Sequence, residues 1–455
     1  MNSTKKIRIG GGAGFAEDRV DHAVELIERG NIDYICFDSL SENELSQVTI
    51  HKLSHPEDKG YDLQLEKRMT QIMPAAMKHK VKVIGNMGST NPVAAAEYVA
   101  ELTKKLGYTG IKIAAVVGDN VRDFLLKGKG INTVEENKPV NEFGDRLVAA
   151  NAYIPCTCIE EALKNGADVV LTGRVGDSGM FLGALRYEFG WKSTDWDKLA
   201  LGIMCGHQCE CAGQVCGGYY ADPPYRDVPD LHKLGFPIVE VHDNGDVYFT
   251  KVEGTGGIVT VDTCKEQAIY EVHDPSKYMH AEVTVDLTHA KFEQVGKDLV
   301  KMTGVKGTPA PEKLKAALGV SDGYFTETYV WYGGPGARAR AEVGRDMLYK
   351  RFEFLGYKPD ALVINLMGID GMYGNAPGVP INTDPWEVGV RMAVRGQDRQ
   401  ELVYMIAEAT SDMSTNGPAA VSCMNSNYSI REVVKYFHAF VPREAINIQI
   451  SYLEV

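Results

Sequence analysis

The chain is short of several things at once. No stretch approaches the roughly 20 consecutive apolar residues a membrane helix needs, and MNSTKKIRIGGG at the start has no apolar core of signal-peptide length. Positive charge is in deficit: 48 Lys and Arg stand against 61 Asp and Glu, a net charge of −13. A chain this acidic has no general attraction for nucleic acid or an anionic membrane surface, so neither partner is expected. Paired C-x-x-C spacing is missing, and nine cysteines are an odd number for a disulfide framework. Together these features predict a reducing, cytoplasmic setting. No G-x-x-x-x-G-K-[ST] phosphate loop occurs.

What is present is an ordinary globular composition, 44% hydrophobic and 24% charged over 455 residues, long enough for two domains. The first half alternates strand and helix patterns. KIRIG, DYICFD, VKVIGNMG, KIAAVVGD and ADVVLTGR read as strands. DRVDHAVELIERG and NPVAAAEYVAELTKKLG read as amphipathic helices, the second opened by a cap and a first-turn proline. This order predicts an α/β domain: a mainly parallel open sheet with helices on both faces. Its strand tips end in Gly10–Gly14, Asp38-Ser39, 86–91, Gly118-Asp119-Asn120 and Thr172-Gly173-Arg174, and ligands of such sheets bind beyond those carboxyl ends. FPIVEVHDNGDVYFTKVEG reads as a hairpin around Asn244-Gly245. From about 324 the order strand–helix–strand–strand–helix–strand, closed by INIQISYLEV, predicts a C-terminal α+β domain of ferredoxin-like plan. The expected division is 1–275, carrying the site, and 276–455.

The glycine run IGGGAGF resembles a dinucleotide fingerprint but fails it. Counting from Gly10 and Gly12 the third glycine is Phe15, and counting from Gly12 and Gly14 it is Glu17. Glu17 and Asp18 would also repel a phosphate at the helix start. Asp38 sits where a ribose-binding acid would. The surviving readings are tight backbone packing and an amide-lined floor for a carboxylate built on Gly11, Gly12 and Gly14, with Arg19 beside it. A second glycine loop, GGPGARAR, places Arg338 and Arg340 in a helix's first turn, as an anion site or a plain strand-to-helix turn.

CGHQCECAGQVCGG carries the richest chemistry. Its cysteine spacing does not suit a zinc knuckle. His207 and Glu210, three apart, share a helix face and suit acid–base work. Cys211 is a nucleophile only if its pKa is lowered, and buried packing is the plainer role for the cysteines. Arg174 in LTGRVGDS can clamp a carboxylate, or form a structural pair with Asp177. Glu253, before a Gly-Thr-Gly-Gly turn, is a candidate base. Asn86, Asn151, Tyr153, Cys211 and Gln214 are candidate substrate-binding groups, with Asn151 and Tyr153 as orienting hydrogen bonders. His22, His51, His55 and His79 read as surface residues.

IGGGAGFAEDR, NMGSTNP, NAY, LTGRVGDS, GHQCECAGQVCGGYYADP, EGTGG, GGPGARARAE, GIDGMYG, STNGPAAV and FVPREAI occur in this order. The sequence resembles the acyclic terpene utilisation (AtuA-like) proteins over nearly its whole length. His207, Glu210, Cys211 and Gln214 match the family motif residue for residue, while Cys216 replaces its usual threonine. The resemblance implies a place in branched-carboxylate or acyl-CoA catabolism. It also implies an extra small α/β part, here absent or on a separate subunit. The leading expectation is a lyase or hydratase acting on a small carboxylate or CoA thioester. In it His207 or Glu253 moves the proton, Glu210 and Asp177 orient, and Arg174 and the glycine amides hold the substrate. No cofactor is assigned, CoA entering only as part of the substrate, and the metal question stays open. A homo-oligomer is expected. The competing expectations are a non-catalytic subunit or metabolite sensor, and a nucleotide-binding protein.

Overall fold

The computed structural model describes residues 5–374, 376–378, 383, 385–419, 421–424 and 428–455. The chain divides into two compact units, Met1–Gly319 with Tyr436–Val455, and Val320–Lys435.

The larger unit is built on one ten-stranded sheet. Its order is Lys291–Gly296, Leu299–Thr303, Val247–Lys251, Pro237–His242, Lys6–Ala13, Tyr34–Phe37, Lys82–Gly85, Val169–Thr172, Lys112–Val117, Gln449–Glu454. The five strands from Lys6–Ala13 to Lys112–Val117 run parallel. They are the five read from the sequence. Both flanks are antiparallel, so the sheet is mixed, with a parallel centre. Alternation of side chains across the pleat sorts the core into two layers. Tyr34, Cys36, Ile84, Ala114, Val116 and Val170 face one set of helices. Ile35, Phe37, Val83, Ile113, Ala115, Val169 and Leu171 face the other.

The expected division at 275/276 differs from the observed one for a plain reason. The Asn244-Gly245 hairpin adds to the first strand, with Lys6 opposite His242, and 291–303 adds two more strands beyond it. INIQISYLEV, expected to close the second domain, pairs instead with Lys112–Val117.

The smaller unit has the element order strand, helix (Ala337–Leu355), strand (Ala361–Met367), strand (Glu387–Gly396), helix (Arg399–Ser411), strand (Val421–Met424), its first strand being the part of Lys313–Gly333 from Val320 onward. The sheet order is Ala361–Met367, Glu387–Gly396, Lys313–Gly333, Val421–Met424, each neighbour antiparallel. Its second glycine loop is a strand-to-helix turn. Arg340 donates to the carbonyls of Pro335 and Gly333 at 2.8 and 2.6 Å, and Arg338 pairs with Glu342.

Gly10 and Gly11 lie inside the first strand, in register with Tyr34–Phe37 on one side, and Gly10 also opposite Ile238 on the other. A Cβ on Gly11 would stand 2.2 Å from the Cys209 carbonyl oxygen, one on Gly12 2.6 Å from the Phe37 ring, and one on Gly14 2.6 Å from the Cys211 backbone. The run is therefore a packing surface. Gly11→Ala should destabilise the protein by about 1–3 kcal/mol through overpacking, whereas Gly333→Ala, where nothing lies within 4 Å, should change stability by less than about 0.5 kcal/mol. Urea midpoints of the two variants check this; equal midpoints would contradict it.

Candidate acid–base site

The helix Trp196–Cys209 ends against the glycine strand, with His207 in its last turn and Glu210 as its C-cap. A second close approach sets its partner. A Cβ on Gly206 would stand 2.5 Å from the Ser178 carbonyl oxygen, so the helix Asp177–Phe189 comes in backbone to backbone. Ser178 Oγ then donates to Glu210 Oε2 at 2.5 Å. His207 Nδ1 lies 3.0 Å from Glu210 Oε1 and 3.3 Å from the Tyr278 hydroxyl. Gln267 Nε2 donates to the His207 carbonyl at 2.9 Å, which fixes the helix end. The His207 and Tyr278 rings meet edge to face, and Tyr278 meets His280 in the same way. Among the described residues, His207 Nε2 and His280 Nε2 are buried without a hydrogen-bond partner.

The strand tips converge on this cluster. Asn86 donates to Asp38 at 2.6 Å and accepts from the Ser39 amide at 2.8 Å. Asp119 accepts from the Arg174 amide and from Asn151 Nδ2, each at 2.8 Å. Arg174, 1% exposed, donates to the carbonyls of Leu40 and Val175 and pairs with Asp177. Its guanidinium lies 4.6 Å from the centre of the Tyr153 ring. The Tyr153 hydroxyl donates to Glu42, which Lys315 and His438 also approach at 3.5 Å. A cavity of about 260 Å³ opens here, lined by Tyr153, Asp177, Ser178, Glu210, Tyr278 and His280 among others. It adjoins an open cleft of about 780 Å³ with which it shares Glu42, Tyr278 and Lys315.

Burial and charge pull these groups apart. Burial pushes the Asp38 carboxyl up to about 7 against the pull of Arg174, and the Glu210 charge adds to the rise. Burial works against the Glu210 charge as well, but His207 and Ser178 outweigh it and hold that carboxyl below its ordinary range. Burial lowers His280 to about 4, so this ring is uncharged near neutrality. Burial is opposed at Glu42 by His438, Arg174 and Lys315, which hold it well down. Burial raises the Cys211 thiol, and Glu210 and Asp38 raise it further. That is the wrong direction for a thiolate nucleophile.

The sequence candidates sort accordingly. His207, Glu210, Asp177, Tyr153 and Arg174 come together at one edge. Asn86 and Asn151 stand behind it, holding Asp38 and Asp119. Cys211 is the turn that receives Gly14. Arg174 spends its donors on backbone carbonyls and Asp177, so its role as a substrate clamp gives way to a buried strut. Gly11, Gly12 and Gly14 offer no anion floor, because protein fills the space over them and the Asp18 carboxylate accepts from the Gly14 amide at 3.0 Å. Arg19 is exposed and donates to the His232 carbonyl. Glu253 is exposed, and its carbonyl takes Arg29; neither lines the cavity. Gln214 belongs to the short turn Ala212–Gln214. His22, expected at the surface, is 3% exposed and packs on Phe236 at 4.7 Å. Sequence reasoning missed Glu42, Ser178, Tyr278 and His280 and gave Asp38 a different role. Ser178 alone had a local signal, beside Asp177 in VGDSG.

The fold and the cluster define an α/β protein whose strand-tip edge holds two oppositely shifted carboxyls, buried Glu210 and half-buried Asp38, beside two histidines. The model of the acyclic terpene utilisation family protein AtuA matches residues 7–452, and the chain belongs to that family. Comparison with curated proteins finds no match. Among the described residues no three His, Cys, Asp or Glu are grouped to hold a metal ion, and no helix is long and apolar enough to cross a membrane.

The raised Asp38 pKa has a sign that can be measured. Between the ordinary carboxyl value and about 7 the folded state binds the proton that the unfolded state has released, so stability falls as pH rises through that window. Asp38→Asn should flatten this fall, and a carboxyl titrating near 7 should vanish from the infrared difference spectrum. An unchanged spectrum would contradict the assignment.

Proposed function

We propose that the protein is an acid–base enzyme of terpene utilisation, of lyase or hydratase type, acting on a small carboxylic acid or its CoA thioester. The family supports the metabolic setting. One observation carries the chemistry: two neighbouring carboxyls are shifted in opposite directions, Glu210 down and Asp38 up to about 7. Such a split is how one site keeps a base and an acid at the same pH. Glu210 faces the cavity and takes the proton α to the carbonyl. Asp38, which like His207 does not line the cavity, is protonated near neutrality and supplies its proton by way of a water to the leaving hydroxyl, which departs as water. The Tyr278 hydroxyl donates toward charge developing on the carbonyl oxygen. His207, which does not line the cavity, is a positioning residue: its Nδ1–H holds Glu210 on one side while Ser178 holds it on the other. Lys315, half-exposed at the rim, attracts the substrate's carboxylate or phosphate groups. The smaller unit reads as ferredoxin-like, a plan supported by its antiparallel order of second, third, first and fourth strands, and we assign it to self-association in a homo-oligomer.

Glu210→Gln should lower turnover of enoyl- or 3-hydroxyacyl thioesters by roughly 10²–10⁴-fold with KM little changed. His207→Ala should lower kcat less and shift the pH profile, because it releases Glu210 rather than removing it. Full activity in Glu210→Gln, or binding of such thioesters with no conversion by the wild type, would overturn the enzyme reading in favour of a metabolite-sensing subunit.

A further inference from the structure

The smaller unit carries a helix face that its own core leaves unused. Along the helix Ala337–Leu355, Ala337, Ala341, Gly344, Leu348 and Phe352 are buried, one stripe at helical spacing. The opposite face is apolar where water should favour charge. Val343 is 58% exposed and Phe354 80%, with Ala339 exposed and Met347 half-buried on the same side. Between Val343 and Phe354 stand an acid and a base four apart, Asp346 and Lys350, both exposed. Asp346 lies 3.8 Å from Arg345, a loose surface pair that leaves room for a second cation. The N-terminal half of this face holds a hollow of about 310 Å³, lined by Ala339, Arg340, Val343, Met347, Gly417 and Pro418 among others. The C-terminal half ends in the exposed Phe354 ring.

A knob and a hollow on one helix are what an isologous two-fold contact needs, residue i meeting j while j meets i. A second copy of the helix laid antiparallel across the first sets Phe354 opposite Val343, in the middle of the other copy's hollow, when the two-fold axis passes at the height of Leu348 and Tyr349. The same axis, to within a residue, brings Asp346 to Lys350. An apolar pair and a charged pair thus share one centre, and the two-fold makes each of them twice. Arg340, held by the carbonyls of Pro335 and Gly333, supplies the hollow with a cation suited to an aromatic ring. Pairing through the sheet edge is closed off instead. On the strand Ala361–Met367 the Ile364 amide donates to the Tyr349 hydroxyl at 3.1 Å and the Leu366 amide to Asp370 at 2.6 Å, while the Leu366 carbonyl accepts from the amides of Ile369, Asp370 and Gly371. We propose that the helix Ala337–Leu355 is a dimer interface that takes a second copy of this chain, antiparallel, with Phe354 seated on Val343 and Asp346 paired to Lys350. The inference rests on the assignment of the smaller unit to self-association and names the face and register that perform it.

Sedimentation equilibrium of the full chain tests it. The wild type should dimerise, and Phe354→Asp should raise the dissociation constant by roughly 30-fold or more. Asp346→Lys and Lys350→Asp should each weaken the dimer, since each sets like charges together twice. The two combined should return the constant to within about threefold of the wild type, because the pair is restored with its signs exchanged. All of these positions are exposed, so the circular dichroism spectra should match that of the wild type. A dimer insensitive to Phe354→Asp, or a double variant as weak as the single ones, would overturn the interface while leaving self-association to another face. A wild type that stays monomeric at every concentration would overturn the interface and the self-association together, and would leave the helix face to a different partner.

Discussion

The strand-tip edge depends on one close approach, the glycine strand against the turn at Cys209–Cys211. Any side chain at Gly11 or Gly14 would stand inside that turn. Only because both are bare can the end of the helix Trp196–Cys209 reach the tips of the parallel strands. Gly206 repeats the device one turn earlier, admitting the Ser178 backbone. The two contacts aim Glu210 between Ser178 and His207 and face it into the cavity. The site is thus positioned by backbone shape, with hydrogen bonds added onto a geometry that glycine allows.

Burial then does the electrostatic work. The same low-dielectric edge acts on Asp38, Glu210 and His280, yet their neighbours differ. Asn86 and Arg174 do not offset the desolvation of Asp38, whereas His207 and Ser178 do offset that of Glu210. Arg174 is central as a strut: it ties the tip of its own strand to those of two others through Asp119 and Leu40, and to the start of the next helix through Asp177. Its guanidinium is spent inside the protein, which leaves the exposed Lys313 and Lys315 as the lysines that line the cavity.

Much of the fold was legible because it rests on local patterns. The five parallel strands are short apolar runs ending in small polar residues, and the helices between them carry caps and periodicity. The antiparallel flanks were harder to see, since pairing of 237–251, 291–303 and 449–454 with the first half is long-range and leaves no local mark. Counting positions in the glycine run excluded a dinucleotide loop. What filled the space over the glycines was invisible, because Cys209 is some 200 residues away. The His207–Glu210 pair was readable from helical spacing. Tyr278 and His280 were not, since they arrive on and just after a two-residue strand, Tyr278–Met279, with no motif around it. Glu253 and Arg19 misled because a charged residue beside a glycine turn looks the same in sequence whether it faces a cleft or solvent.

The acid–base character of the edge can be read without knowing the full reaction. The protein is incubated in D₂O with a saturated branched-chain acyl-CoA thioester, and the Cα–H signal is followed by NMR. If Glu210 takes the α-proton, the wild type washes deuterium into Cα and Glu210→Gln does so at least 100-fold more slowly. Exchange at equal rates in the two proteins would contradict the assignment of Glu210 as the base.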